Sequence, residues 1–166
     1  MNISAKFYKV STPQYLSARE GAESEYDAIK LPERATAGSA GYDFYAPFDF
    51  TLKSGEGIKI PTGIRAKIPD GWVLMLYPRS SLGFGYRLQM DNTVGVIDSD
   101  YYYADNEGHI FVKITNDSRD GKTLEIKKGD AFCQGIFMPF GITEDDNANA
   151  IRKGGFGSTN KERKGK

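Results

Sequence analysis

The sequence predicts an all-β fold, a sandwich or a jelly roll, for three reasons. Its 19 glycines and 7 prolines interrupt the chain often, which favours many short strands over long helices. Segment 109–115 alternates apolar and polar residues with a period of two, as a half-buried strand does. No window shows a convincing helical period over about ten residues, although 17–28 and 81–88 could each hold a turn or two of helix.

The predicted strands follow one another along the chain with turn sequences between them. Ser54-Gly55, 69–71 and 128–130 combine glycine with serine, proline or aspartate, which is typical of turns that join antiparallel strands. In chain order the predicted strands are 7–10, 29–31, 42–45, 48–52, 57–60, 63–68, 72–77, 93–97, 109–115, 123–126 and 131–138.

Length and charge limit the domain count and the class of ligand. The 166 residues are enough for one well-buried core. We expect one domain over 1–140 and a mobile arm over 141–166, because 141–150 is polar and acidic and the rest lacks a strand pattern. Basic and acidic residues balance at 22 each, so no overall field attracts nucleic acid or a membrane surface. An anionic ligand must therefore be bound by local groups.

Single residues exclude several kinds of catalytic site. Cys133 is the only cysteine, which rules out an internal disulfide and a cysteine-cluster metal site and fits a reducing compartment. His109 is the only histidine, so a serine or cysteine hydrolase triad would depend on it alone. The first residues contain no apolar run of signal-peptide length, and no stretch is apolar enough to span a membrane. We expect a soluble, cytoplasmic protein.

Segment 78–101 is the part of the chain most suggestive of chemistry. Arg79, Ser80 and Ser81 follow a predicted strand and precede Gly83, so guanidinium, hydroxyl and backbone N–H donors can converge on one oxyanion. Asp98 follows the apolar run 94–97, where a carboxylate is costly to bury without partners or a task. The two features together indicate phosphate-ester chemistry.

Five segments in order resemble the five motifs of the trimeric dUTPases. They are AGSAGYDFYA (37–46), PRSSLGFG (78–85), NTVGVIDSDY (92–101), KKGDAFCQ (127–134) and GGFGST (154–159). The resemblance implies a dUTPase-like distorted jelly roll with a mobile C-terminal arm. It also implies hydrolysis of dUTP to dUMP and pyrophosphate, which supplies dUMP and limits uracil in DNA, by a homotrimer whose active sites are shared among subunits. Mg²⁺ would be carried by the triphosphate and water, as suits an ion that retains several waters.

The resemblance gives Asp98 the role of general base toward the water that attacks the α-phosphorus. Position alone does not separate Asp98 from Asp100, and either could instead cap a hairpin turn. A covalent role for Ser80 would need an adjacent base, and the sequence offers none.

The second, fourth and fifth motifs supply the expected phosphate ligands. The resemblance assigns this role to Arg79, Ser80, Ser81, Gly83, Gln134, Arg152, Ser158 and Thr159. Asp43 resembles a family carboxylate near the phosphates and the waters of the metal, with no direct metal bond. A structural role for Asp43, as the ion-pair partner of Arg79, fits the sequence equally well.

The third motif and the arm supply the expected nucleoside contacts. By resemblance these are Asn92, Gly95, Val96, Ile97, Tyr101 and Phe156. Backbone groups of the hairpin would pair with uracil, the Tyr101 ring would pack on the deoxyribose, and Phe156 would stack over the base when the arm closes. Tyr101 could alternatively be a core aromatic, since Tyr102 and Tyr103 follow it.

The sequence departs from the family pattern at three places. Many members carry arginine three residues before the double glycine, where this chain has Ile151, so Arg152 is expected to serve the γ-phosphate instead. Residues 102–109 are an insert that either enlarges an exposed loop or changes subunit contacts. Segment 17–26 looks like an added surface loop.

Three other functions remain compatible with these motifs. A dCTP deaminase or bifunctional deaminase-dUTPase shares the fold and would release ammonia from dCTP. A phage-type regulatory protein of this family would capture a protein partner through 101–109. A purely structural viral jelly roll would give no nucleotide-dependent protection of the arm.

Overall fold

The computed structural model describes residues 3–150, 152 and 154 and is built mainly from short antiparallel strands. The twelve strands of the described residues are β1 (Lys6–Lys9), β2 (Glu33–Arg34), β3 (Tyr42–Tyr45), β4 (Phe50–Leu52), β5 (Gly57–Pro61), β6 (Ile64–Lys67), β7 (Trp72–Pro78), β8 (Leu88–Met90), β9 (Gly95–Ile97), β10 (Phe111–Asn116), β11 (Leu124–Ile126) and β12 (Ala131–Pro139). The helices are α1 (Thr12–Leu16), α2 (Glu23–Asp27), α3 (Ser80–Tyr86) and a 3₁₀ helix (Ser99–Tyr103).

The strands of the described residues form four sheets, and every strand pair is antiparallel. The largest has the order β2-β3-β12-β7-β9, and a second has the order β5-β10-β8. The pairs β1-β6 and β4-β11 complete the set. The all-β, jelly-roll-like architecture predicted from the sequence is confirmed.

One hydrophobic core lies between these sheets. Its fully buried members include Phe44, Leu74, Ile114 and Phe132, contributed by four different strands. Period-two alternation produces this arrangement, because successive side chains of a strand point to opposite faces. In β10 the residues Val112, Ile114 and Asn116 are buried while those between them are more exposed.

The predicted strand at 29–31 is wrong. Ile29 is buried but Leu31 is 44% exposed, and neither belongs to a strand. Helix α2 ends just before this segment and Pro32 follows it, so little chain remains for ladder pairing. Strands β2 and β8, of two and three residues, were not predicted.

The N-terminal segment contains more structure than the sequence predicted. Helix α1 was missed, although Ser11 caps it by accepting a hydrogen bond from the Gln14 N–H and proline opens its first turn. Segment 17–26, expected to be a surface loop, packs on the body through buried Ala22 and through Tyr26, whose hydroxyl donates to the Val10 carbonyl at 2.7 Å.

No helix among the described residues is long and apolar enough to cross a membrane.

Candidate active site

Three strands of the largest sheet bring the first, second and fourth motifs together. The central strand β12 pairs on one side with β3 and on the other with β7. Gln134 therefore lies opposite both Asp43 and Tyr77, and Arg79 follows the end of β7. Asp43, Arg79 and Gln134 line a cavity of about 510 Å³, which we call the Arg79 pocket. Its other lining residues are Ala35, Ser39, Ala40, Gly41, Ser80, Ser81 and Ile136.

The Arg79 guanidinium is fixed at two points in this pocket. Its Nε lies 3.0 Å from Asp43 Oδ1, and its Nη1 donates to the Ala131 carbonyl at 3.2 Å. These contacts use two of the five N–H groups of an arginine fork, so donors remain for an anion. The ion pair is one of the two roles that the sequence allowed for Asp43.

Gln134 and Gly41 are packed closely at the base of the Arg79 pocket. The Gln134 side-chain amide donates to the Pro78 carbonyl at 3.0 Å, directly before Arg79. A Cβ on Gly41 would collide with the Gln134 carboxamide oxygen. The glycine of the first motif thus leaves room for the glutamine of the fourth.

The second motif forms the short helix α3, where the sequence allowed a turn or two of helix over 81–88. Ser80 and Ser81 begin α3, are exposed and line the Arg79 pocket. Gly83 lies one turn further into α3 and is not among the residues that line this pocket. A Cβ on Gly83 would meet no atom within 4 Å, so nothing in the described chain requires a glycine there.

The third motif forms a separate cavity. Strand β9 pairs with the middle of β7, with Gly95 opposite Leu76 and Ile97 opposite Leu74. The cavity has a volume of about 470 Å³, and we call it the hairpin pocket. It is lined by the predicted site residues Asn92, Gly95, Val96, Ile97, Asp98, Tyr101 and Arg152, and also by Leu76, Met90, Asp91, Phe111 and Lys113.

The two acidic residues of the third motif share one cation. Arg152 Nη2 contacts Asp98 Oδ2, and Arg152 Nε lies 2.7 Å from Asp100 Oδ1. About half of each carboxylate side chain remains exposed, at 46% for Asp98 and 51% for Asp100. Of these two carboxylates, only Asp98 belongs to the lining of the hairpin pocket.

Tyr101 closes one side of the hairpin pocket from a buried position. The residue is 7% exposed, and burial raises the pKa of its hydroxyl. That hydroxyl donates to the His109 carbonyl at 2.7 Å and accepts from the Asn106 amide at 2.8 Å. Tyr101 thus combines a pocket position with the core burial that the alternative interpretation expected.

Sequence reasoning missed the wall of the hairpin pocket contributed by β8 and β10. Lys113 lies 2.7 Å from Asp91, and Thr115 donates to Asp91 at 2.7 Å. The pKa of the Asp91 carboxyl is lowered, most by the hydrogen bond from Lys113 and next by the hydrogen bond from Thr115. The alternation in 109–115 places Phe111 and Lys113 on the face opposite Val112 and Ile114. This alternation is the sequence feature from which Phe111 and Lys113 could have been predicted to share one face.

The remaining predicted site residues belong to the fifth motif. Phe156, Ser158 and Thr159 lie outside the described residues. Among the residues that are described, no group of three or more histidine, cysteine, aspartate or glutamate side chains could hold a metal ion.

Comparison with known proteins identifies the chain. A family model described as dUTPase matches residues 27–160. The chain belongs to the dUTPase family. A deoxyuridine 5'-triphosphate nucleotidohydrolase of Lactococcus lactis is 43% identical over 134 residues, covering 79% of this chain and 88% of the relative. One of Tolumonas auensis is 39% identical over 152 residues, covering 87% and 93%.

Solved structures of dUTPases share the fold. The dUTPase of Streptococcus mutans matches with a TM-score of 0.64 and 35% identity, over 83% of this chain and 98% of that one. The dUTPase of Staphylococcus bacteriophage 80alpha, solved with dUPNHPP, matches with a TM-score of 0.64 at 22% identity, over 93% and 97%. The second likeness shows the fold alone.

Proposed function

We propose that this dUTPase-family chain hydrolyses dUTP to dUMP and pyrophosphate. The observation that carries the proposal is the hairpin pocket, where one cavity is lined by the candidate nucleoside contacts and by Asp98. The curated relatives that match most of the chain bear the name of this activity.

Asp98 acts as the general base in this proposal. The water oxygen bonds to the α-phosphorus while the bond from that phosphorus to the oxygen that bridges it to the β-phosphorus breaks. Asp98 takes the proton of the water, and pyrophosphate leaves with the electron pair of the broken bond. The half-exposed Asp98 carboxylate at the pocket rim can accept that proton.

Nucleoside selection rests on the remaining lining of the hairpin pocket. Backbone groups of Asn92, Gly95, Val96 and Ile97 would pair with the uracil edge, and a cytosine amino group would meet donors instead of acceptors. The Tyr101 ring would pack against C2′ of the sugar, where a ribose hydroxyl would collide with it. Stacking by Phe156 stays a prediction from the sequence.

The phosphates would be bound by the Arg79 pocket of a different subunit. Ile97 lies opposite Leu74, and the five residue steps along β7 from Leu74 to Arg79 span roughly 16 Å. The Arg79 guanidinium is held by Asp43 and Ala131, which lie on the other side of β7 from β9. A base and a phosphate ligand acting on one α-phosphate must lie within a few ångströms of it. A second copy can supply the missing pocket, which supports the homotrimer with shared sites.

Within the Arg79 pocket we assign Arg79 and Ser80 to the α- and β-phosphates. Ser81 and Gln134 complete the set of donors. The second-motif Gly83 stays a prediction from the family resemblance, because in this chain it lies outside the pocket lining.

Arg152 has to exchange partners if it binds the γ-phosphate. Its fork holds Asp98 and Asp100 of its own chain, and a triphosphate competes with these carboxylates as the more highly charged anion. Its release would also free Asp98 to accept a proton.

Mg²⁺ fits this site as an ion carried by the substrate. Asp43, the acidic residue of the Arg79 pocket, is already paired with Arg79, so it could reach the ion only through water. When bound, Mg²⁺ neutralises charge on the triphosphate oxygens and orients them. The cytoplasmic location stays a prediction from the sequence.

A pyrophosphate-release assay tests the activity. We expect turnover of dUTP and little turnover of dCTP, dTTP or UTP, with a requirement for Mg²⁺. Asp98→Asn should reduce turnover by about 10²- to 10⁴-fold and leave nucleotide binding intact. Asp100→Asn, the matched control, removes the other Arg152 partner and should keep most activity. Ammonia release from dCTP would identify a deaminase instead, and unchanged turnover in Asp98→Asn would refute the role of Asp98.

Subunit mixing tests the shared site. Inactive Asp98→Asn and Arg79→Ala subunits are denatured together, refolded at equal amounts and assayed. If Asp98 and Arg79 act across subunits, random assembly gives about a quarter of the sites both intact residues, and activity returns to that level. If both residues act from one chain, no mixture recovers activity.

A further inference from the structure

The insert 102–109 satisfies the Tyr101 hydroxyl from outside the hairpin pocket. The hydroxyl donates to the His109 carbonyl at 2.7 Å and accepts from Asn106 Nδ2 at 2.8 Å. Both its donor and an acceptor position are therefore used. Asn106 is not part of the pocket lining, so any influence that it has on a bound nucleotide passes through Tyr101.

Asn106 is itself held by the backbone of the insert. Its Oδ1 accepts from the Gly108 N–H at 3.2 Å, and its carbonyl accepts from the His109 N–H at 3.0 Å. Gly108 has a φ of +70°, and a Cβ there would lie 2.6 Å from the Tyr101 carbonyl oxygen. The insert thus turns back directly onto the backbone of Tyr101, which only a glycine at position 108 permits.

The returning end of the insert is anchored to the body of the fold. The Gly63 N–H donates to His109 Nε2 at 3.0 Å, and the Ile110 N–H donates to the Ile64 carbonyl at 2.9 Å. His109 and Ile110 are fully buried. Since both ends of the network are fixed, the hydroxyl has one position that satisfies both hydrogen bonds, and that position sets where the outer end of the Tyr101 ring lies.

We propose that Asn106 is a positioning residue for Tyr101 and thereby sets how strongly the enzyme rejects ribonucleotides. This proposal rests on the proposed function, in which the Tyr101 ring lies against the sugar. The two hydrogen bonds keep the hydroxyl end of the ring from swinging away from a 2′-hydroxyl, and without the Asn106 bond that end is held less firmly. Rejection of the wrong sugar then depends on a residue that touches no substrate.

Asn106→Asp is the most selective test. Aspartate keeps the oxygen that accepts from Gly108 and so preserves the turn, but it replaces the amide donor to Tyr101. We expect the ratio of kcat/KM for dUTP over UTP to fall about fivefold, the loss that one neutral hydrogen bond explains. The ratio for dUTP over dTTP, which reports the base side of the pocket, should stay the same. Asn106→Ala should reproduce the fall in sugar selectivity.

Controls separate positioning from simple stabilisation. Glu107→Gln weakens the contacts of the same insert with Ser11, where the carboxylate accepts from the Ser11 N–H and hydroxyl. It should lower Tm and leave both ratios unchanged. Tyr101→Phe removes both hydrogen bonds of the hydroxyl and should lose at least as much sugar selectivity as Asn106→Asp, and the double variant should lose no more than Tyr101→Phe alone.

The possible results decide the proposal and its premise separately. An unchanged dUTP over UTP ratio in a folded Asn106→Asp protein overturns the positioning role, as do additive losses in the double variant. If Asn106→Ala does not fold, the aspartate and phenylalanine variants still decide. A parent enzyme that hydrolyses dUTP and UTP equally well would instead refute the proposed sugar contact of Tyr101.

Discussion

Replacing His109 by Gln should make this protein less sensitive to acid. His109 is fully buried beside Phe111, with ring centroids 4.3 Å apart. Its Nε2 accepts from the Gly63 N–H, while its buried Nδ1 has no hydrogen-bond partner among the described residues. Burial lowers the imidazole pKa to about 4, against the opposing charge of Glu107 and with a smaller contribution from Lys59 in the same direction.

The sign and size of the effect follow from linkage. Above about pH 6.5 the imidazole is neutral in both the folded and the unfolded chain, so the stability is fully present. As the pH falls below about 6.5, the imidazole becomes protonated in the unfolded chain. In the folded chain it stays neutral until about pH 4. Between about pH 7 and about pH 5 this difference removes roughly 2 kcal/mol of unfolding free energy.

The His109→Gln substitution separates the contribution of imidazole protonation from other pH effects on the unfolding free energy. The glutamine Oε1 can accept from the Gly63 N–H in place of Nε2, and glutamine does not titrate. Urea unfolding at a series of pH values and one protein concentration should show the parent losing about 2 kcal/mol more than His109→Gln over this interval. All carboxylates are common to both proteins, so the difference between the two curves belongs to the imidazole.

Direct titration provides the second measurement. The chain has a single histidine, so its NMR signal needs no assignment among several. An imidazole pKa near 6.5 in the folded protein, or equal acid sensitivity of the two proteins, would refute the reasoning.

Three further substitutions test the packing and the Arg79 pocket. Gly135→Ala places a Cβ about 3 Å from three buried side chains and should lower the unfolding free energy by about 1–3 kcal/mol, whereas Gly141→Ala, whose Cβ meets no atom within 4 Å, should change it little. Asn116→Ala should cost about 3 kcal/mol in urea unfolding, because the buried amide bonds two carbonyl groups and one N–H; a loss under about 1 kcal/mol would contradict this. Asp43→Asn weakens the ion pair that orients Arg79 and should raise KM for dUTP about tenfold in steady-state assays, so an unchanged KM would show that Arg79 needs no such partner.

Strands long enough to show an apolar–polar alternation could be predicted from the sequence. Strand β10 was predicted because six residues of alternation suffice to show a period. Helix α1 was missed because five residues are too few to show a helical period, and only the Ser11 cap gave a local signal for it. The error at 29–31 came from reading three apolar or long side chains as a strand where a helix end and a proline intervene.

The candidate site divides in the same way. The motifs named Asp98, Arg79 and Tyr101 because carboxylate, guanidinium and aromatic groups have recognisable chemistry at those spacings. Lys113 and Met90 of the hairpin pocket were not named, because their place depends on which strands become neighbours. The contact of Asn106 with Tyr101 could not be predicted for the same reason, since it forms only when the insert has folded back.

The sequence by itself determined the β class, the family and the chemical groups of the site, because residue types and short-range periods carry that information. The family resemblance already implied shared active sites, and only the tertiary structure decided which strand pairs place Arg79 and Asp98 of one chain in different pockets. The reason is non-local: β7 takes β12 on one side and β9 on the other, and the register of those pairs sets the separation. Such pairings join residues far apart in the chain, where no local pattern records them.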